Sequence, residues 1–130
     1  MYKKVEKINI EELLGKVIVS IDRAEDDRYL GFNCSDGYSY VMYSEEWGYD
    51  NDMDLHLEDV CGNLEDLLKH PITMAEEINN EEGYQDGYHC TWTFYKLATI
   101  KGYVTLRWYG FSNGYYSEAV DIAKTRKCVE

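Results

Sequence analysis

Thr91 to Gly110 reads TWTFYKLATIKGYVTLRWYG, and this run decides the fold. It is dense in β-branched and aromatic residues, and Lys101 and Gly102 interrupt it in the middle. The reading is a β-hairpin. With Lys101 and Gly102 as its loop, Leu97 faces Leu106, Tyr95 faces Trp108 and Thr99 faces Val104, so one face of the pair is an apolar and aromatic core. On the other face Lys96 stands opposite Arg107. Ser112, Asn113 and Gly114 then turn the chain into a third strand over Tyr115 to Ile122, because Asn-Gly suits a tight hairpin turn. Lys124 to Glu130 reads as a frayed tail.

Working back toward the N-terminus, Val17, Val19 and Ile21 alternate through a strand at Lys16 to Arg23. Tyr29 to Cys34 and Tyr38 to Tyr43 follow as strands joined through Ser35, Asp36 and Gly37. Asn9 is placed to cap a short helix over Ile10 to Leu14, with Glu12 completing a capping box and Gly15 ending it. Asn63 is placed to cap a second helix, Leu64 to Lys69, which Pro71 prevents from extending. Met53, Leu55, Leu57 and Val60 suggest a short strand or turn, and Ile72 to Ile78 a further strand. Ser44 to Asp52 is a polar loop, and Asn79 to Gly87 reads as the longest polar insertion and a mobile loop. The expected fold class is α+β, mainly antiparallel β: a twisted meander of hairpins with two short helices near 10–14 and 64–69, in a single domain spanning 1–130.

Acidity is regional. Glu45, Glu46, Asp50, Asp52, Asp54, Glu58, Asp59, Glu65, Asp66, Glu76, Glu77, Glu81, Glu82 and Asp86 face a single base in the same stretch, Lys69, and they account for the formal net charge of -12. Such a balance disfavours direct contact with nucleic acid or anionic membranes, which need Lys and Arg on the contact face. A basic protein surface is the natural partner. The thirteen Tyr and three Trp separate this chain from disordered acidic tails and predict a folded core. Tyr38, Tyr40, Tyr43, Tyr49, Tyr84, Tyr88, Tyr109, Tyr115 and Tyr116 are many phenols for a small core. Two readings stand side by side: the tyrosines coat a half-buried sheet, or those bordering the acidic middle form a contact surface.

Cys34, Cys61, Cys90 and Cys128 are irregularly spaced, as reduced thiols are, and Met1 to Ile10 has no apolar run of the signal-peptide kind. The expected location is the cytoplasm. Asp50, Asp52 and Asp54 repeat at calcium-loop spacing, but Leu55 stands where the loop needs Gly and Cys61 where it needs Glu. His56, His70, His89, Cys61 and Cys90 lack zinc-ligand spacing, and His89 beside Cys90 points to the opposite face of a strand. Neither a metal nor a cofactor is expected. Lys96 opposite Arg107 calls for an acid between them, with Glu118, Glu76 and Glu77 as candidates; an anion or nucleotide framed by Trp92, Phe94 and Tyr109 is the alternative.

Thr91 to Gly110, followed by Ser112 to Glu118, resembles an uncharacterised family of small acidic proteins found in phages, plasmids and their bacterial hosts. Leu57 to Gly62 (LEDVCG), Leu64 to Leu67, Pro71 to Glu77 (PITMAEE) and the opening Ile10 to Asp22 extend the likeness over most of the chain. Relatives carry a His, an Asp and paired Cys after the third strand, where this chain has Ser44, Glu45, Glu46, Trp47 and Gly48. A metal or redox role there does not carry over.

The resemblance implies a mobile-element context. Joined to the acidity, it leads to the expectation of a non-enzymatic inhibitor of a host defence protein, an anti-CRISPR or similar anti-defence protein acting in the host cytoplasm. Glu45, Glu46, Asp50, Asp52, Asp54, Glu76, Glu77, Glu81, Glu82 and Asp86 would mimic nucleic-acid phosphates in a basic groove, such as that of a CRISPR nuclease. Trp47, Tyr49, Tyr84 and Tyr88 would anchor the contact. The alternatives are a sponge for a nucleotide signal that uses Lys96, Arg107 and the aromatic hairpin face, a hydrolase with dispersed carboxylates, and a housekeeping phage protein with ordinary surface acidity.

Overall fold

Alternation of apolar and polar residues resolves into nine strands over the residues that the computed structural model describes, 2–45, 53–114 and 117–127. They are β1 (Tyr2–Lys7), β2 (Ile18–Arg23), β3 (Leu30–Cys34), β4 (Ser39–Tyr43), β5 (Met53–Cys61), β6 (Met74–Gln85), β7 (Tyr88–Thr99), β8 (Gly102–Ser112) and β9 (Asp121–Lys127). One sheet has five strands in the order β1-β9-β4-β3-β2, the other four in the order β5-β8-β7-β6. Their pairings are antiparallel throughout.

The two sheets share one core. Leu30, Phe32, Tyr40, Met42 and Ile122 come from the first, and Leu55, Leu57, Tyr95, Leu97, Val104, Leu106 and Trp108 from the second. Ile10, Leu13, Leu67 and Ile72 join the same cluster from the connections. Trp108 is fully buried, and its indole N–H has no acceptor among the described residues. That omission costs roughly 1–3 kcal/mol, which burial of the large ring offsets. No helix among the described residues is long and apolar enough to cross a membrane.

The hairpin stands, with a corrected register. Leu97 pairs with Val104, Tyr95 with Leu106 and Thr99 with Gly102, so Ile100 and Lys101 form the turn in place of Lys101 and Gly102. Thr99 explains the shift: its hydroxyl accepts from the Lys101 amide at 3.1 Å and donates to the Asp66 carbonyl, fixing the strand end one residue pair earlier. A slip of two residues preserves which face each side chain takes, so the predicted core face survives while the neighbours change. Lys96 now stands opposite Thr105, and Arg107 opposite Phe94.

The helical component of the expected α+β class is not found, and the described chain is all-β. The segments expected as helices at 10–14 and 64–69 are single 3₁₀ turns, Ile10–Leu13 and Leu64–Leu67. Asn9 makes no side-chain cap, whereas Asn63 accepts from the Glu65 amide at 2.9 Å. Either way, so few residues cannot repay the cost of helix nucleation. Gly15 at φ +82 and Lys69 at φ +70 end the two turns.

Three further expectations fail at the strand ends, the first being the strand over Tyr115 to Ile122: 117–120 is not strand, and β9 begins at Asp121. Asn79 to Gly87 is not a mobile loop, since β6 runs through it to Gln85 and turns back at Asp86 and Gly87, both with positive φ. This is the Asp-Gly hairpin signal, read correctly at Asp36 and Gly37 but overlooked here. Lys124 to Lys127 is no frayed tail either. It belongs to β9, which lies between β1 and β4 and supplies both with hydrogen bonds.

Deleting residues 124–130 therefore removes more than half of an interior strand, and the expected outcome is loss of cooperative thermal unfolding by circular dichroism. Gly62, at φ +109, offers a finer test: a Cβ there would lie 2.8 Å from the Tyr103 carbonyl oxygen. Gly62→Ala is expected to destabilise by about 1–3 kcal/mol in urea titration.

Candidate functional site

Strand β6 is one of the two edge strands of its sheet, and from Glu76 to Glu82 every residue is exposed. An edge strand usually hides one face. Here both faces reach water, because only Ala75 near its start is buried in the core. Glu76 and Glu81 stand on the outer face, opposite Lys96 and Trp92 of β7; Glu77 and Glu82 stand on the inner side, opposite Tyr95 and Thr91. A bulge between Glu77 and Asn79 adds Ile78, which is 45% exposed. The bulge and the carboxylates both discourage strand-to-strand aggregation at this edge.

Several of these carboxylates are anchored. Glu77 accepts from the Tyr95 hydroxyl at 3.2 Å, Glu81 from the Asn79 amide at 3.3 Å, and Glu82 lies 3.3 Å from His89 Nε2. Burial, with the Glu77 charge beside it, pushes the Tyr95 hydroxyl well above the usual phenol range. Tyr84 is 83% exposed, its ring set edge-on to His89 at 5.3 Å. Past Glu77 a groove of about 830 Å³ continues to Glu11 and Glu12, over a floor that includes Ile8, Tyr95 and Ile122.

The acidic stretch is not one surface. β5 and β6 are opposite edges of the four-stranded sheet, so Asp54 and Glu58 are separated from Glu76 to Glu82 by two strands, on the order of 14 Å. Asp54 is also committed internally, with a side chain 15% exposed, paired to Arg28 and 2.9 Å from His56 Nδ1. Glu45 pairs with Lys7 at 2.8 Å and accepts from the Tyr43 hydroxyl, which burial pushes up to about 12. Each of the two carboxylates therefore already has a cationic partner within the chain. Asp86 occupies the β6–β7 turn, and Tyr88 is half-buried against Phe111. Glu46, Trp47, Tyr49, Asp50 and Asp52 lie outside the described residues.

Lys96 and Arg107 do share the outer face of this sheet with Trp92, Phe94 and Tyr109. They are not a facing pair. Arg107 Nε lies 2.7 Å from Glu58 Oε1, and Lys96 Nζ sits 4.2 Å above the Tyr103 ring.

Glu118, named from the sequence as a counter-charge for Lys96 and Arg107, has a different role. Glu118 has a side chain 7% exposed and serves neither Lys96 nor Arg107. It accepts from Ser112 Oγ at 2.6 Å and Thr91 Oγ1 at 2.8 Å, and lies 2.7 Å from His89 Nδ1. The segment carrying it packs on Gly110, where an added Cβ would meet the Glu118 carbonyl oxygen at 2.8 Å. His89 thereby gains a fixed ring, with Nε2 toward Glu82 beside a groove of about 430 Å³. The histidine ties the start of β7 to Glu118. Spacing gave no signal, since the donors lie on β7 and β8 and the acceptor beyond both. Among the described residues no three His, Cys, Asp or Glu side chains converge as a metal site.

A family model, a domain of unknown function (DUF7448), matches residues 11–122. No curated protein and no solved structure matches the chain.

Glu118→Ala strands three buried or half-buried polar partners and is expected to cost about 2–4 kcal/mol in urea unfolding, with Glu118→Gln costing less. The thiols supply a second test. Burial, with Asp36 adding to it, pushes Cys34 up to about 12, so at pH 8 the thiol stays neutral and shielded. Iodoacetamide at that pH is expected to label exposed Cys61 while Cys34 reacts only after denaturation, as read by peptide mass spectrometry.

Proposed function

Because the chain belongs to the DUF7448 family, whose function is unassigned, its activity has to be read from its own surfaces, and we propose that it is a non-enzymatic binding protein whose acidic edge strand engages a basic protein surface. The observation that carries this reading is β6, where Glu76, Glu77, Glu81 and Glu82 reach water on both faces of one strand. Carboxylates on a rigid strand are pre-organised to meet Arg and Lys, whereas the same charges on a mobile loop would lose entropy on binding. Ile78 and Tyr84 add apolar area beside them.

The basic surface that best complements such an edge is one that ordinarily holds nucleic-acid phosphates. The likeness to acidic proteins of phages and plasmids supports the narrower proposal of an inhibitor of a host defence protein, a CRISPR nuclease being one instance. The contact is confined to the β6 edge and its continuation toward Glu11 and Glu12. Arg107 and Lys96 give less support to a nucleotide site, since Glu58 already engages Arg107 and Glu76 and Glu81 border the same face.

Binding to basic nucleic-acid-binding proteins, measured by calorimetry, is expected to weaken on the order of tenfold or more between low and physiological salt. Glu81→Lys and Glu76→Lys are each expected to weaken it roughly threefold to tenfold, with little effect on melting because both residues are exposed. An affinity insensitive to salt and to both reversals would sink the proposal.

A further inference from the structure

The outer face of the β5-β8-β7-β6 sheet carries a continuous row of rings. Tyr88 meets Phe111 at 5.3 Å, Phe111 meets Tyr109 at 6.1 Å, and Tyr109 meets Trp92 at 5.1 Å between centroids. All four residues are half-buried, so each ring packs on the sheet and still offers surface to water. A face of this kind is unusual on a protein that contacts nothing, since contiguous apolar area of that sort marks interaction sites.

The charge around the row selects the occupant. Trp92 stands directly opposite Glu81, and its ring reaches over Gly83, where an added Cβ would come within 3.7 Å of Cζ3. The indole therefore lies against the acidic edge strand. Beyond it Tyr109 donates to Gln85 at 2.9 Å, and Glu58 and Asp54 border the far side. An aromatic face with a carboxylate beside it supplies what a planar guanidinium needs, a π surface for stacking and an anion for its N–H groups. A nucleobase would stack equally well, but its phosphate would then approach Glu81 and the already engaged Arg107.

We propose that Trp92 and Tyr109 receive arginine side chains from the partner's basic segment, with Glu81 as their counter-ion. This rests on the acidic-edge reading and deepens it: the edge attracts any basic surface, while the rings discriminate arginine from lysine. The discrimination follows from shape, because lysine is a compact, strongly hydrated cation and guanidinium is flat and weakly hydrated.

The test titrates the full chain at low salt with octa-arginine and octa-lysine peptides, read by tryptophan fluorescence and calorimetry. The arginine peptide is expected to bind about threefold to tenfold more tightly. Trp92→Ala should erase that preference while leaving salt-sensitive binding of both peptides, and Glu81→Gln should narrow it. Should Trp92→Ala fail to fold by circular dichroism, Trp92→Phe and Glu81→Gln carry the test, and an unchanged preference in both overturns the inference. Equal affinity of the wild-type protein for the two peptides also overturns it and leaves the acidic-edge reading intact. Absence of binding by either peptide overturns that reading instead. Binding of single-stranded oligodeoxythymidine that Trp92→Ala abolishes would assign the face to bases and overturn the choice of arginine.

Discussion

The pairing of β7 with β8, continuous from His89 opposite Ser112 to Thr99 opposite Gly102, is the interaction on which the rest of the structure depends. Its inner face supplies Tyr95, Leu97, Leu106 and Trp108 to the core, and its outer face supplies the aromatic row. Both flanks are then fixed: β5 adds to β8 and β6 adds to β7, each inheriting the alternation of the central pair. The five-stranded sheet closes the other side of that core. Loss of the pairing would expose Trp108, the largest fully buried side chain among the described residues, together with Leu97 and Leu106.

This arrangement gives β6 its character. Among the described residues it is held by strand pairing to one neighbour only, and past Ala75 its residues are no longer buried. A strand in that position would be an aggregation hazard were it apolar, and the exposed carboxylates along it disfavour edge-to-edge pairing. These carboxylates are also held in place. Tyr95, Asn79 and His89 each steady one glutamate of the edge, so the anionic groups occupy defined positions on the sheet.

Glu118 shows how a polar group far along the chain is drawn into the same hairpin. Ser112 and Thr91, on neighbouring strands, donate to its two oxygens, and His89 completes the set. A carboxylate this buried is tolerated only with full hydrogen bonding, and it ties the segment at 117–119 to the ends of β7 and β8. The consequence is a fixed end to the sheet beside the acidic edge.

Period-two patterning made the strand positions legible: β2, β3, β4, β5, β7 and β8 lie close to where alternation placed them, and the core face of the hairpin is the one expected. Local chemistry also marked the Asn63 cap and the turn at Asp36 and Gly37. What the residues alone did not decide were matters of long-range partnership. The hairpin register depended on Thr99 reaching Asp66, the status of Lys124 to Lys127 on a berth between β1 and β4, and the extended form of Asn79 to Gln85 on a neighbour in β7. The dispersal of the acidic stretch over opposite sheet edges had the same origin. Sequence determined which faces are apolar and where charge accumulates, because those properties belong to single residues and their spacing. Only the tertiary structure decided which charges stand together, because sheet order is set by contacts between residues far apart in the chain.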